Sequence, residues 1–202
     1  KLIPRTKKAN IVFISWEMGS GKSRLLSEFG RFVSADSTTI YLRAKCVEKF
    51  LLQPYYILTE VLYGYFSGSD KLPDGLLEGF SGDELSVLFN FLPALADMAG
   101  ISPAKPEGDG LASNSQSHKD KAPGDSRLLR GSLIKLLTNL SLKKAPLSLL
   151  LDDFQYVDEQ TLELFLGFIK GESISPILII CAFSLDDVPE DIPFKSEAFQ
   201  GL

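Results

Sequence analysis

The chain has 202 residues, a formal net charge of −5 and a hydrophobic content of 45%. This length suits one substantial core, and the acidic balance argues against a dedicated nucleic-acid surface. No apolar run approaches the ~20 residues of a membrane span, and no signal peptide is recognisable. The two cysteines lie in apolar surroundings, which is typical of reduced core residues. We therefore expect a cytoplasmic protein that binds neither membrane nor nucleic acid directly.

The first predicted strand, residues 10–15, leads through a loop into a predicted helix over residues 22–34. The loop ends in Gly21-Lys22-Ser23, which is the end of the phosphate-binding pattern G-x-x-x-x-G-K-[ST]. In such loops, backbone N–H groups surround phosphate oxygens, and the helix directs its positive end at them. A Gly/Ser turn that happens to meet a helix is the alternative, and the flanking strand and helix argue against it.

This pattern predicts a role for each residue of the loop. Lys22 would reach the β- and γ-phosphates as a catalytic and binding cation, and the Ser23 hydroxyl would coordinate Mg²⁺. The residues predicted to contact the nucleotide are Glu17, Met18, Gly19, Ser20, Gly21, Lys22, Ser23 and Arg24.

The next segments continue the alternation of strands and helices. Residues 38–43 are rich in β-branched and aromatic residues and predict a second strand. Apolar residues at helical spacing predict helices over 55–66 and 83–99, with Pro54 suited to the start of the former. Pro93 should break or kink the latter helix. Alternating strands and helices favour a parallel sheet.

Residues 102–125 predict a flexible insertion within a single domain that covers residues 1–202. This stretch is rich in Pro, Gly, Ser, Lys and Asp, and so cannot bury enough apolar surface to become ordered. It contains the sole histidine, His118, which would lack the orienting partners that a catalytic or metal-binding role requires. Ser126 is predicted to cap a following helix over residues 127–142.

The apolar run 147–151 predicts a strand that is buried on both faces and ends in Asp152-Asp153. A carboxylate at this edge commonly holds Mg²⁺ in phosphate-binding folds, often through water. Asp152 is therefore predicted as the metal ligand, and Asp153 as the catalytic group that orients an attacking water. The alternative is that two acidic residues simply begin a solvated loop.

Further along, Asp158 can cap a helix that ends before Gly171, and residues 176–184 predict the last strand.

Residues 149–166, LLLDDFQYVDEQTLELFL, resemble the Walker B region of AAA-type predicted ATPases of the STAND class. Those domains occur in LuxR-type transcription regulators and beside cyclase or kinase domains. Gly21 to Leu26 are similar to the G-K-[ST]-R-L-L of that family, and Cys46 with the later Gln53-Pro54-Tyr55-Tyr56 is similar to its cysteine and P-[FY] motif. The resemblance implies an α/β fold, the three-layer P-loop NTPase sandwich with a mostly parallel sheet.

Two residues depart from the pattern of that family. Trp16 replaces the first glycine of the loop, where a large side chain can restrict the backbone or crowd the phosphates. Ser184 stands where the family has an arginine that senses the γ-phosphate, and a hydroxyl cannot offset phosphoryl charge as a guanidinium does. Hydrolysis is therefore expected to be slow or absent.

The resemblance also implies that the chain is a fragment of a larger protein and lacks the C-terminal lid of the family. We expect a Mg-ATP-binding regulatory domain of a multidomain signalling or transcription-regulatory protein, with ATP and Mg²⁺ as cofactors. Its partners would be the nucleotide, the other domains of the parent protein and further copies of itself. A nucleotide-dead interaction module is the main alternative. A small-molecule P-loop kinase is the third, although no acceptor-side base or basic lid is recognisable.

Overall fold

The computed structural model describes residues 9–16, 22–35, 38–101, 123–170 and 175–184. The strands are β1 (Asn10–Trp16), β2 (Ile40–Lys45), β3 (Leu147–Asp152) and β4 (Ile177–Ser184). The helices are α1 (Lys22–Ser34), α2 (Tyr56–Ser67), α3 (Gly82–Phe91), α4 (Pro93–Met98), α5 (Pro123–Asn139) and α6 (Glu159–Lys170).

The four described strands form one parallel sheet in the order β1-β4-β3-β2. Every residue of β3 is buried, because this strand lies between two others and is covered on both faces. The predicted α/β architecture with a parallel sheet is confirmed.

The helices divide between the two faces of the sheet. Alternate residues of a strand point to opposite faces, and Leu149 and Leu150 accordingly belong to two different clusters of buried residues. Leu150 packs with Leu26 of α1 in the smaller cluster. Leu149 belongs to the larger cluster, which also contains buried residues of α2, α5 and α6. The sheet is therefore the middle layer of three.

Several predicted boundaries agree with the structure. Helix α1 has the predicted bounds, and the predicted break at Pro93 separates α3 from α4. The break follows from proline chemistry, since the ring removes a helical N–H and is tolerated only in a first turn. A capping box also starts α3, where Ser81 and Glu84 satisfy each other's backbone N–H groups.

One predicted helix start is wrong. Helix α5 begins at Pro123, so Ser126 lies inside its first turns and does not cap it. Proline is favoured at the start of a helix, because the first N–H groups of a helix have no acceptor within it and the missing N–H of proline costs nothing there. Residues 123–125 are therefore helical, whereas the rest of the predicted insertion lies outside the described residues. Helix α5 continues into a π-helical turn, Leu140–Lys144, which lengthens the predicted element at its end.

None of the helices in the described part of the chain is both long enough and apolar enough to cross a bilayer.

Candidate functional site at the carboxyl edge of the sheet

The predicted phosphate-binding loop connects β1 to α1. The strand ends at Trp16 and the helix begins at Lys22. The loop residues Glu17, Met18, Gly19, Ser20 and Gly21 lie outside the described residues, as do the side chains of Lys22 and Ser23. Arg24 is exposed near the start of the helix. The predicted order of strand, loop and helix is present, and the contacts of these residues with a nucleotide stay predictions.

Three strands end at the same edge of the sheet, beside this loop. The register pairs Trp16 of β1 with Ser184 of β4, and Cys181 of β4 with Leu151 of β3. Asp152 follows Leu151 as the last residue of β3. The loop strand and the acidic residues therefore converge, as expected of the ligand-binding edge of an open α/β sheet.

Asp152 is a nearly buried carboxylate with capacity for a further ligand. Its side chain is about a tenth exposed, and its Oδ1 accepts a hydrogen bond from the Asp153 N–H at 3.0 Å. Its Oδ2 lies 3.9 Å from the nearest guanidinium nitrogen of Arg43, which is too long for a hydrogen bond. The backbone carbonyl of Asp152 accepts from the Cys46 N–H at 2.9 Å, which ties this strand end to the end of β2.

Asp153 is directed towards the opposite side of β3 from the loop. Its backbone is left-handed, with φ of 49°, and its Oδ2 lies 2.7 Å from the ammonium of Lys45. Lys45 belongs to β2, and β2 and β4 flank β3 on opposite sides. The hydrogen bond to Asp153 is the main reason that the pKa of Lys45 is raised. Sequence reasoning assigned Asp153 to water orientation, which stays a prediction, and missed the ion pair with Lys45.

Ser184 and Gln155 join β4 to the turn that follows β3. The Ser184 N–H donates to Oε1 of Gln155 at 3.4 Å, and both residues are buried. Within the described part of the chain, the hydroxyl of Ser184 is buried without a hydrogen-bond partner. A buried polar atom without a partner costs about 1–3 kcal/mol, so a hydrogen-bond partner for this hydroxyl would stabilise the sheet edge. The sequence pattern marked Gln155 as part of the motif but gave no contact for it.

Asp158 anchors the other end of this turn. Its Oδ1 accepts from the Thr161 N–H and its Oδ2 from the Thr161 hydroxyl, so it caps α6 as predicted. Its Oδ1 also accepts from the N–H of Tyr55 at 2.9 Å, and Tyr55 has a left-handed φ of 57° just before α2. Burial is the main cause of the raised pKa of Asp158. The contact with Tyr55 was not predicted.

The two cysteines lie in the core close behind this edge. Cys46 and Cys181 are both buried, as predicted, with free thiols. Burial in apolar surroundings raises the pKa of both, which keeps them neutral and unreactive.

The oxygen donors at this edge suit Mg²⁺. Among the described residues, no group of three or more His, Cys, Asp or Glu side chains could hold a metal ion. Magnesium does not need such a cage, because it usually keeps several waters and uses one or two protein oxygens. Asp152 supplies a carboxylate of this kind at the end of β3. The predicted partner ligand is Ser23.

Comparison with known proteins gave one family match. A family model described as "AAA ATPase domain" matches residues 3–180, which is most of the chain. The matched region includes the predicted phosphate loop, Asp152, Asp153 and the first part of β4. No curated protein and no solved structure matches the chain.

Proposed function

The chain belongs to the AAA ATPase domain family, which makes it a nucleotide-binding ATPase module, and we propose a more specific role. We propose that it binds Mg-ATP and serves as a STAND-type regulatory switch in a cytoplasmic multidomain signalling or transcription-regulatory protein. The observation that carries this proposal is the convergence of the strand–loop–helix unit and the buried carboxylate of Asp152 at one sheet edge.

The proposed roles follow from the positions of the residues. Lys22 would pair with the β- and γ-phosphates, and the backbone of residues 17–23 would surround them. Ser23 and Asp152 would hold Mg²⁺, which when bound neutralises phosphate charge. Support comes from the start of α1 at Lys22, which directs the positive end of the helix at the loop.

Slow hydrolysis, or none, is part of the proposal. One oxygen of the Asp153 carboxylate pairs with Lys45 on the β2 side of the sheet, and this ion pair would compete with the predicted orientation of water by Asp153. Ser184 offers a hydroxyl where a guanidinium would stabilise phosphoryl charge. Slow hydrolysis suits a regulatory switch. In such a switch, a bound γ-phosphate would shift the equilibrium between two arrangements of the domain relative to neighbouring domains or further copies of the chain.

A nucleotide-dead interaction module is the second candidate, and Trp16 is the observation that favours it. The indole occurs at the first glycine position of the loop pattern, in the last residue of β1. If the side chain blocks the phosphates, the domain would keep its fold and its partner surfaces without binding ATP.

Equilibrium titration of the purified chain with ATP, ADP and GTP, with and without Mg²⁺, tests the proposal. We expect saturable, Mg²⁺-dependent binding of ATP, and a loss of about 1.5–3 kcal/mol in Lys22→Ala, the value of a charged hydrogen bond. Lys71→Ala is the matched control, since that exposed lysine pairs with Asp74 in a turn before α3. Unchanged ATP affinity in folded Lys22→Ala would remove the phosphate-loop assignment, and no binding at all would favour the second candidate.

A further inference from the structure

The open edge of the described sheet at β2 carries unpaired backbone groups. The Ile40 N–H donates to the Pro146 carbonyl and the Cys46 N–H to the Asp152 carbonyl, so both residues face β3. Backbone groups of successive residues in a strand point alternately to the two sides. Tyr41, Arg43 and Lys45 therefore direct their N–H and C=O groups away from β3, where no described strand pairs with them.

A groove of about 710 Å³ lies between this edge and α2. On the β2 side it is lined by residues Tyr41, Leu42 and Arg43. Its wall includes Glu60, Val61, Tyr63 and Gly64 of α2, and Tyr63 is 55% exposed. A side chain added at Gly64 would meet no atom within 4 Å, so the surface of the helix leaves room there. The groove therefore combines a wall of mixed polarity with a row of backbone donors and acceptors that no described strand uses.

We propose that this groove receives an extended peptide segment of a partner protein, which adds a fifth strand beside β2. Main-chain hydrogen bonds to Tyr41, Arg43 and Lys45 would supply affinity, and the alternating side chains of the peptide would supply specificity. This inference goes beyond the proposed nucleotide switch, because it concerns a surface on the opposite edge of the sheet from β1.

The charges along the edge define the chemistry of the peptide. The side chains of Tyr41, Arg43 and Lys45 share one face of β2, since they occupy alternate positions. Lys45 is engaged by Asp153 at 2.7 Å. The Arg43 side chain is 39% exposed, and its nearest guanidinium nitrogen lies 3.9 Å from Asp152 Oδ2, which is too long for a hydrogen bond. Tyr41 packs on the α1 side of the sheet, whereas Glu60 lies on α2 at the other face, so a peptide residue beside Arg43 should be acidic. Residues on the other face would lie near Leu42 and Val61 and should be apolar.

The same charges disfavour a second copy of the chain as the occupant. In a symmetric antiparallel pairing that uses all three outward-facing residues, Arg43 would oppose its own copy, and like charges opposite each other are destabilising. An alternating acidic and apolar strand has no such conflict. The proposal therefore names a partner peptide, and self-pairing becomes an outcome of the test.

The probe is the capped peptide acetyl-Glu-Val-Glu-Val-Glu-Val-amide, which matches the six residues of β2 in length. The full chain is titrated with it, and amide hydrogen exchange is measured residue by residue by NMR. We expect saturable binding that slows exchange at Tyr41, Arg43 and Lys45 and leaves the already paired Leu42 and Ala44 unchanged. A peptide of the same composition without alternation, and one with lysine for glutamate, should not bind. If none of the peptides binds, or if the three amides are protected instead by dimerisation of the chain, the proposal is wrong.

Two substitutions at one position separate the backbone contribution from the side-chain contribution. Arg43→Ala removes the guanidinium, and Arg43→Pro also removes the outward N–H, which an edge strand tolerates because β3 does not use it. We expect peptide affinity to fall in Arg43→Ala, and to fall about tenfold further in Arg43→Pro, as for the loss of one hydrogen bond. If Arg43→Ala and Arg43→Pro both fold and bind the peptide with equal affinity, the proposal of strand addition is wrong. If Arg43→Pro does not fold, the exchange pattern of the wild-type chain decides the question.

Discussion

The carboxylate of Asp158 accepts a hydrogen bond from the backbone N–H of Tyr55, which lies 103 residues earlier in the chain, at 2.9 Å. The same oxygen accepts from the N–H of Thr161, so one side chain caps α6 and also holds the left-handed turn before α2. The turn after β3 is therefore fixed at one end by Asp158 and attached to β4 by Gln155. Changes at the end of β3 should be transmitted to α2 through this contact.

Replacement of Asp158 should show what the contact contributes to stability. Asp158→Ala leaves the buried N–H of Tyr55 without a partner and removes the cap, so we expect a loss of about 2–4 kcal/mol in the free energy of unfolding. Asp158→Asn keeps an acceptor oxygen for both N–H groups and should lose much less. Urea unfolding of the two variants measures the difference, and equal losses would show that the acceptor oxygen is unimportant.

The pH dependence of stability, compared between the wild-type chain and Asp158→Asn, provides an independent measurement. Burial raises the pKa of Asp158 above its ordinary value of 3.8, so the folded protein binds a proton more readily than the unfolded chain does. The contribution of this group to stability therefore falls as pH rises through the window between the two pKa values. Relative to Asp158→Asn, the wild-type chain should gain stability as pH is lowered from about 7 towards about 4.

This comparison also removes the effect of other carboxylates. Glu78 and Glu84 have lowered pKa values, because Lys143 bonds to the former and the Ser81 N–H to the latter, and their effects have the opposite sign. Both proteins contain them, so they cancel in the difference. A stability difference that does not change between neutral and acidic pH would contradict the prediction.

The two acidic residues after β3 should differ in their effect on ATP binding. Asp152→Asn should weaken the Mg²⁺ dependence of binding, because it removes charge from the buried carboxylate at the sheet edge. Asp153→Asn should leave binding nearly unchanged, since its side chain pairs with Lys45 on the other side of β3. Magnesium titrations at fixed ATP concentration distinguish the two. Equal losses of Mg²⁺-dependent affinity would show that the division of roles is wrong.

Trp16→Gly should improve ATP binding if the indole crowds the loop. Relief of an overpacked contact is worth about 1–3 kcal/mol. The substitution should also lower the stability of the domain by about 0.5–1 kcal/mol or more, because glycine weakens the end of β1. Calorimetric titration gives the affinity, and the fluorescence of Trp16, the only tryptophan, gives a second readout in the wild-type chain. Tight binding by the wild-type chain, no better in Trp16→Gly, would remove the main support for an inactive module.

Two glycines in helices should respond in opposite ways to alanine. A Cβ at Gly30 of α1 would clash with the buried hydroxyl of Tyr41, whereas a Cβ at Gly131 of α5 would meet no atom within 4 Å. Gly131→Ala should stabilise the domain by up to about 1 kcal/mol through helix propensity, and Gly30→Ala should not. The penalty at Gly30 should shrink in a Tyr41→Phe background, which removes the obstructing hydroxyl. Thermal unfolding of the single and double variants tests this. If Gly30→Ala costs the same stability with and without Tyr41→Phe, the Tyr41 hydroxyl is not the group that clashes.

The elements that the sequence predicted correctly are those with local causes. Continuous apolar runs identified β3 and β4, and the cap of α6 follows from the position of Asp158 before an amphipathic segment. The start of α5 was missed because the composition around Pro123 is that of a disordered segment, although proline itself suits a first turn.

The contacts that the sequence did not predict join residues that are far apart in the chain. The hydrogen bond from Tyr55 to Asp158 and the ion pair of Lys45 with Asp153 both depend on the order of the strands in the sheet. Spacing along the chain carries no information on such pairs. The sequence identified the acidic residues of the candidate site, but not which of their oxygens are already engaged by protein groups.

The position of β4 between β1 and β3 sets the distance between the two strand ends of the candidate site. Neighbouring strands lie about 4.8 Å apart, so one intervening strand separates the end of β1 from the end of β3 by roughly 10 Å. If the two strands were adjacent, the carboxylate of Asp152 would lie almost against the phosphate loop and would repel a bound phosphate. Two strand spacings instead leave a gap that a hydrated divalent cation can bridge. The cation would then lie between the Asp152 carboxylate on one side and a bound phosphate on the other.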